Sequence, residues 1–132
     1  MISKIVVNVI PHNQQRYNTC GDWQFKDDTL QIDVSDTGDE FMNFLIARHE
    51  QDEAMLCLRR GISQKEVDDW DMSHEDTGTD DFSADMDAPY HQSHCDALSA
   101  EWVMASLLGV NWKEYGQRLE SAGWTGHKAV SA

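Results

Sequence analysis

The stretch that decides the fold is DEFMNFLIARHEQDEAMLCL, residues 39–58. Its apolar residues recur every three or four positions, which is the period of an amphipathic α-helix. The stripe includes Ile46, continues through His49 and Glu53, and returns to an apolar residue at Leu56. Two ionisable residues therefore occupy the helix face that the period assigns to the core.

His49 and Glu53 are spaced so that both can bind one metal ion. Residues four apart on a helix point the same way, with their Cβ atoms about 6 Å apart. Glu50 lies about 100° around the helix from His49. The order His49-Glu50-x-x-Glu53 is that of a zinc-hydrolase helix whose second histidine is replaced by glutamate. We therefore predict His49 and Glu53 as metal ligands and Glu50 as a catalytic general base.

A second predicted helix also carries ionisable residues on its apolar face. It is predicted to begin with Asp87 as its N-cap and Pro89 in its first turn, and to end at Gly109. Its stripe reads His91, His94, Leu98, Glu101, Ala105 and Leu108.

His94 is the third predicted ligand. Together with the first helix it would give a His2Glu set with one open position, which is typical of catalytic rather than structural zinc sites. His91 is an alternative or additional ligand, and Glu101 is better placed to orient a ligand than to bind the ion. Asp71 and Asp69 are further candidates for that outer role. Another interpretation stays open, in which these polar residues form a hydrogen-bonded layer without a metal or face solvent at a helix edge.

The composition indicates a folded, acidic protein. Hydrophobic residues make up 40% of the 132, and 24 acidic against 10 basic residues give a formal net charge of −14. That charge repels nucleic acid and anionic membranes, so we expect neither, and expect an unidentified protein or peptide as partner. The length suits one core rather than two. The oligomeric state stays open.

Cysteine use favours a cytoplasmic location. The three cysteines are an odd number without a CxxC pair, so neither a disulfide framework nor a cysteine zinc site is predicted. Cys57 and Cys95, near the predicted ligands, are expected to be small buried hydrophobic residues. The first residues lack the pattern of a signal peptide, and no apolar run reaches the length of a membrane span.

The predicted fold is α+β, with a small, mostly antiparallel three-stranded sheet packed against three to four helices. Lys4 to Ile10 reads as a β-branched strand, and residues 22–34 read as a hairpin turning at Asp27-Asp28. The hairpin places Phe25 opposite Leu30 and Trp23 opposite Ile32. The first helix has Asp36, Thr37 or Asp39 as its N-cap, and Gly61 ends it.

The rest of the chain completes one domain, residues 1–120. Ser63 and Glu66 form a capping box that opens a short helix over residues 63–72. Residues 73–87 lack an apolar period and are strongly acidic, so we predict a long acidic loop, either a solvated excursion or a mobile lid. A short last helix follows Val110, and residues 121–132 are predicted to be a flexible tail.

The pattern resembles a group of short uncharacterised zincin-like proteins from phage and bacterial genomes. The likeness covers about residues 40–115 and is carried by HEQDE at residues 49–53 and PYHQSH at residues 89–94. In ordinary gluzincins the first pair of ligands is HExxH and a glutamate lies downstream. Here the positions are exchanged, with Glu53 on the first helix and His94 downstream. The resemblance implies a zinc-binding fold, and a host-cytoplasm location for a phage protein.

Three functional hypotheses follow. The first is a zinc-dependent hydrolase of metallopeptidase type, with Glu50 polarising the zinc-bound water. The second is a non-catalytic acidic phage protein that binds or inhibits a host protein, with a structural metal or none. The third is that zinc acts only as a staple for a small domain.

Overall fold

The computed structural model describes residues 1–74 and 86–124. Three strands and four helices occupy these residues, so the α+β class is confirmed. The strands are β1 (Lys4–Ile10), β2 (Gly21–Lys26) and β3 (Thr29–Ser35); the helices are α1 (Glu40–Arg59), α2 (Gln64–His74), α3 (His91–Leu108) and α4 (Trp112–Ala122), with a 3-10 turn at His12–Gln14. None of the described helices is long and apolar enough to cross a membrane.

β2 and β3 form the predicted hairpin. Trp23 pairs with Ile32 and Phe25 with Leu30, as the alternation of apolar residues indicated. Asp27 takes a positive φ of 56° in the turn, a conformation that aspartate tolerates better than most residues. The register of this part of the sheet is therefore confirmed.

The prediction of a mostly antiparallel sheet is wrong. The strand order is β1-β3-β2, and β1 runs parallel to β3. A tight turn after β1 would pair it with β2, but residues 11–20 form a ten-residue connection. This connection leaves the width of one strand between β1 and β2, and β3 fills that gap. The sheet is mixed, with one parallel and one antiparallel pair.

α1 packs on the hairpin side of the sheet. Its contacts with the sheet are mainly with β2 and β3, and Leu30, Ile32 and Val34 of β3 have no exposed surface. Its N-cap is Asp39, whose side chain accepts hydrogen bonds from the backbone N–H groups of Phe41 and Met42. The other two predicted N-caps do not take this role.

The ends of α1 and α2 follow the local signals. Gly61 has a φ of 73° just past α1, which is the left-handed conformation that ends many helices. The Glu66 carboxylate accepts hydrogen bonds from the backbone N–H and hydroxyl of Ser63, so the capping box is confirmed. α2 continues to His74, two residues beyond the predicted end.

α3 begins later than predicted. Tyr90, not Asp87, occupies the N-cap position, and Pro89 lies in the turns before the helix. Tyr90 is 1% exposed and its backbone carbonyl accepts from the N–H of His94. Burial of the Tyr90 ring sets where α3 starts. Local capping signals in the sequence do not predict that burial.

Parts of two predicted segments lie outside the described residues. The acidic loop was predicted for residues 73–87, of which 75–85 fall outside. Of the predicted tail, residues 121 and 122 belong to α4, and residues 125–132 fall outside.

Candidate metal centre

Three donor atoms from α1 and α3 form a nearly equilateral triangle in the protein interior. His49 Nε2 lies 3.1 Å from Glu53 Oε2 and 3.2 Å from His94 Nδ1, and the third side, His94 Nδ1 to Glu53 Oε2, is 3.1 Å. The three residues are at most 5% exposed. Among the described residues, they form the group with the composition and spacing to hold a metal ion.

Two helices create this triangle. His49 and Glu53 are one turn apart on α1, so the helix alone brings their side chains together. His94 comes from the first turn of α3, which packs along α1. All three predicted ligands thus meet at one point.

The triangle is slightly smaller than a tetrahedral zinc ion needs, but close to that size. Zinc bonds to nitrogen and carboxylate oxygen are about 2.0–2.2 Å long, which places ligand atoms about 3.3–3.5 Å apart at tetrahedral angles. The observed sides are 3.1–3.2 Å. Two imidazoles and a carboxylate are also a donor set that zinc accepts. The residues present therefore fit the ion.

The buried triangle holds a proton between its donor atoms. Burial opposes a charge on His49, but hydrogen bonds to Glu101 and Glu53 outweigh it and hold the pKa of His49 well above its usual value. Burial also opposes ionisation of Glu53, but hydrogen bonds from His49 and His94 lower the pKa of Glu53. The cluster therefore stabilises positive charge at its centre, and a divalent ion would release the proton held there.

Two outer contacts orient the donors. The Nδ1–H of His49 donates to Glu101 Oε1 over 2.8 Å, and Glu101 has no exposed surface. This bond leaves Nε2 of His49 facing Glu53 and His94. Trp23 Nε1 donates to Glu53 Oε1 over 3.1 Å, which leaves Oε2 for the centre. Such partners fix the tautomer and orientation of metal ligands.

Glu101 lies where the sequence predicted an orienting carboxylate, whereas sequence reasoning missed Trp23. The alternation along β2 assigned Trp23 only to the core face. A buried indole N–H needs a hydrogen-bond acceptor. This need was the one signal in the sequence that could have indicated the contact between Trp23 and a buried carboxylate.

Glu50 lies beside the triangle and is 5% exposed. It lines a narrow polar cavity together with Glu53, Asp71 and the rings of Tyr17 and Tyr90. The cavity has room for about one water molecule. Burial, then the nearby charge of Glu53, raises the pKa of Glu50 well above its usual value.

Gly21 makes the position of Glu50 possible. A Cβ atom at residue 21 would lie 2.7 Å from both Cγ and Oε1 of Glu50, and 2.8 Å from Cγ2 of Ile46. These separations are too short for non-bonded atoms. Glycine at residue 21 lets β2 approach α1 closely enough to bury Glu50.

Asp71 lies on the cavity and does not hydrogen-bond to a predicted ligand. Its carboxylate accepts from the hydroxyl of Tyr17 over 2.7 Å and from the hydroxyl of Tyr90. Burial raises the pKa of Asp71 to about 7, although these hydrogen bonds act in the opposite direction. Asp69 does not line the cavity; its carboxylate forms an ion pair with Lys65 on the surface.

The other candidates do not join the triangle. His91 is partly buried, and its Nε2 lies 3.6 Å from Cys95 Sγ. Cys57 is fully buried and burial raises the pKa of its thiol to about 12, which suits a small hydrophobic residue. His12 hydrogen-bonds to Ser35 and Asn18, His74 contacts the Trp70 carbonyl, and His127 lies outside the described residues.

No protein-family model, no curated protein and no solved structure matches this chain. The resemblance to short zincin-like proteins therefore stays a prediction.

Proposed function

We propose that the protein binds one zinc ion through His49, Glu53 and His94, and that this centre is hydrolytic. The observation that carries the proposal is the buried triangle of donor atoms with sides of 3.1–3.2 Å. Two nitrogens and one oxygen favour zinc over calcium or magnesium, which prefer sites made of oxygen alone. Three protein ligands leave a fourth position, as in catalytic zinc sites.

A zinc ion would supply Lewis acidity, which lowers the pKa of a bound water molecule towards neutrality. Glu50 is the residue that can accept a proton. Its carboxylate lines the same one-water cavity as Glu53, and burial raises its pKa above the usual value, which makes it a stronger base when it is ionised. Glu101 and Trp23 hold His49 and Glu53 in place while the proton moves.

A second candidate function is a structural zinc in an acidic binding protein. It is favoured by the closure of the site, since the three donors are at most 5% exposed and the neighbouring cavity holds about one water. A peptide does not fit that cavity. A cavity for one water admits no organic substrate of any size, so the hydrolytic proposal needs the cavity to open.

Elemental analysis of protein purified without added metal tests the metal site. One zinc per chain is expected. His49→Ala and His94→Ala should each lose the ion, because two remaining donors compete poorly with water. His74→Ala, at the end of α2, is the matched control and should keep it. Stoichiometric zinc in both ligand variants would show that the ligand assignment is wrong.

Glu50→Gln separates the two candidate functions. The amide is nearly the same size as the carboxylate but cannot accept the proton, so zinc content should be unchanged. Hydrolysis of small ester and amide substrates should fall about 100-fold to 10,000-fold. If wild type and variant both carry zinc and neither hydrolyses any substrate, the structural function is supported. Loss of zinc from Glu50→Gln would make Glu50 a ligand, contrary to the proposal.

A further inference from the structure

β1 is an edge strand with one side open. It hydrogen-bonds to β3 on its inner side, and none of the residues in 1–74 or 86–124 pairs with its outer side. Proteins commonly protect such edges with charged residues, proline or a bulge. β1 has seven residues, KIVVNVI, with one charge at its first position and Pro11 just after its end. Within the described part of the chain, the outer backbone groups of β1 therefore have no strand to pair with.

An apolar row lies along this strand on the face that α1 covers elsewhere. Ile5, Val7 and Val9 are register partners of buried residues in β3, yet they remain 47%, 44% and 50% exposed. Phe44 of α1 is 48% exposed and forms one wall of a groove of about 340 Å³ above Val7 and Val9. The core is thus incomplete at this edge.

The charge distribution at this edge favours a second copy of the chain as the occupant. The protein carries a net charge of −14, so a basic partner would be attracted most to its acidic surfaces. The groove is lined by one acid and one base, Glu40 and Arg48, and β1 adds only Lys4. This local neutrality allows two copies to approach here with less repulsion than at an acidic surface.

We propose that two copies associate through β1, antiparallel about a twofold axis at Val7. This register pairs all seven residues and places Val7 opposite Val7 of the second copy. It also places Ile5 opposite Val9, so the apolar rows join on one face. The result is a six-stranded sheet with both α1 helices on the same side, and a twofold interface is the commonest kind in homo-oligomers.

The contact would be of modest size. Pairing covers the seven-residue edge and three side chains that are 44–50% exposed, against the roughly 1,000 Å² in total that a specific interface needs. The negative charges of the two copies still repel at long range. Salt screens that repulsion, so the dimer should strengthen as ionic strength rises.

Sedimentation equilibrium tests the association. At about 100 μM protein and about 0.5 M salt, where the Debye length is below 8 Å, we expect twice the chain mass of 15.1 kDa. Val7→Lys should return the chain mass, because like charges directly opposite each other destabilise a strand pair. Leu107→Lys on α3, at a residue that is 74% exposed, is the control and should remain dimeric. Circular dichroism of each variant establishes that it is folded.

Disulfide formation tests the register, in a background where the partly buried Cys95 is replaced by serine. Directly opposed residues in an antiparallel pair have Cα atoms about 4.5–5.5 Å apart, within the range that a disulfide spans. Val7→Cys should therefore cross-link to itself on mild oxidation. Ile5→Cys should not, because its counterpart in the second copy is four residues away along the strand.

Three results would overturn the proposal: a monomer at every salt concentration, a dimer that Val7→Lys leaves intact, or cross-linking of Ile5→Cys as fast as Val7→Cys. The dimer should persist in the presence of a chelator. The dimer proposal and the zinc proposal can therefore fail independently of each other.

Discussion

Gly21→Ala should destabilise the protein by forcing a methyl group against two residues of α1. The added methyl group would lie 2.7 Å from Glu50 and 2.8 Å from Ile46, about 0.7 Å inside ordinary contact distance. Both neighbours belong to α1, so the helix must move away from β2 or Glu50 must leave its position. β2 cannot retreat freely, because it is hydrogen-bonded to β3 along its length.

Overpacking of this kind costs about 1–3 kcal/mol, and the constraint on both elements places Gly21→Ala at about 2–3 kcal/mol. For a domain of this size, such a loss lowers Tm by about 6–15 °C. Urea unfolding of the chelator-treated protein measures the free energy of unfolding, and a thermal scan measures Tm.

A double-mutant cycle identifies the contact. Glu50→Ala removes the atoms that the new methyl group meets first, so Gly21→Ala should cost at least about 1 kcal/mol less in that background. Gly61→Ala is the control. Nothing lies within 4 Å of its added Cβ, and its cost of about 1–2 kcal/mol arises from a left-handed backbone, which Glu50→Ala cannot relieve. Additive effects of Gly21→Ala and Glu50→Ala would refute the reasoning.

Two further predictions concern the surroundings of the proposed metal centre. Glu101→Gln should weaken zinc binding about 10-fold to 100-fold while leaving one ion per chain, because His49 loses a charged orienting partner; competition with a chromophoric chelator measures this, and Glu114→Gln on the surface of α4 should show no change. In the metal-free protein, Asp71 has a folded-state pKa of about 7, above its unfolded value of about 3.9. The folded state therefore binds the Asp71 proton more tightly than the unfolded state does. This proton binding stabilises the fold fully below about pH 4, and the stabilisation is lost as the pH rises to about 7. Relative to Asp71→Asn, the wild type should lose up to about 4 kcal/mol over that window, as measured by urea unfolding at each pH; a constant difference between the two proteins would contradict the assignment.

Local chemistry in the sequence was enough to predict most elements. The period of α1, the capping box of α2 and the alternation in residues 22–34 involve residues close together in the chain. Interactions over such short separations need no knowledge of the rest of the fold. The same holds for the first two candidate ligands, because one turn of helix places His49 beside Glu53.

Elements whose position depends on distant residues could not be predicted in the same way. The parallel pairing of β1 with β3 follows from a ten-residue connection that carries no pairing signal of its own. The start of α3 follows from burial of Tyr90, whose hydroxyl meets Asp71 of α2. Both depend on contacts that form only when separate elements pack.

The sequence by itself determined that His49, Glu53 and His94 interrupt the apolar faces of two helices, since the helical period alone assigns those faces. Only the tertiary structure decided that their donor atoms lie 3.1–3.2 Å apart and that Trp23 and Glu101 orient them. A helix sets the direction of its side chains, but the distance between side chains on two helices depends on how those helices pack. That packing is set by the volume of every residue between them, which no local pattern in the sequence encodes.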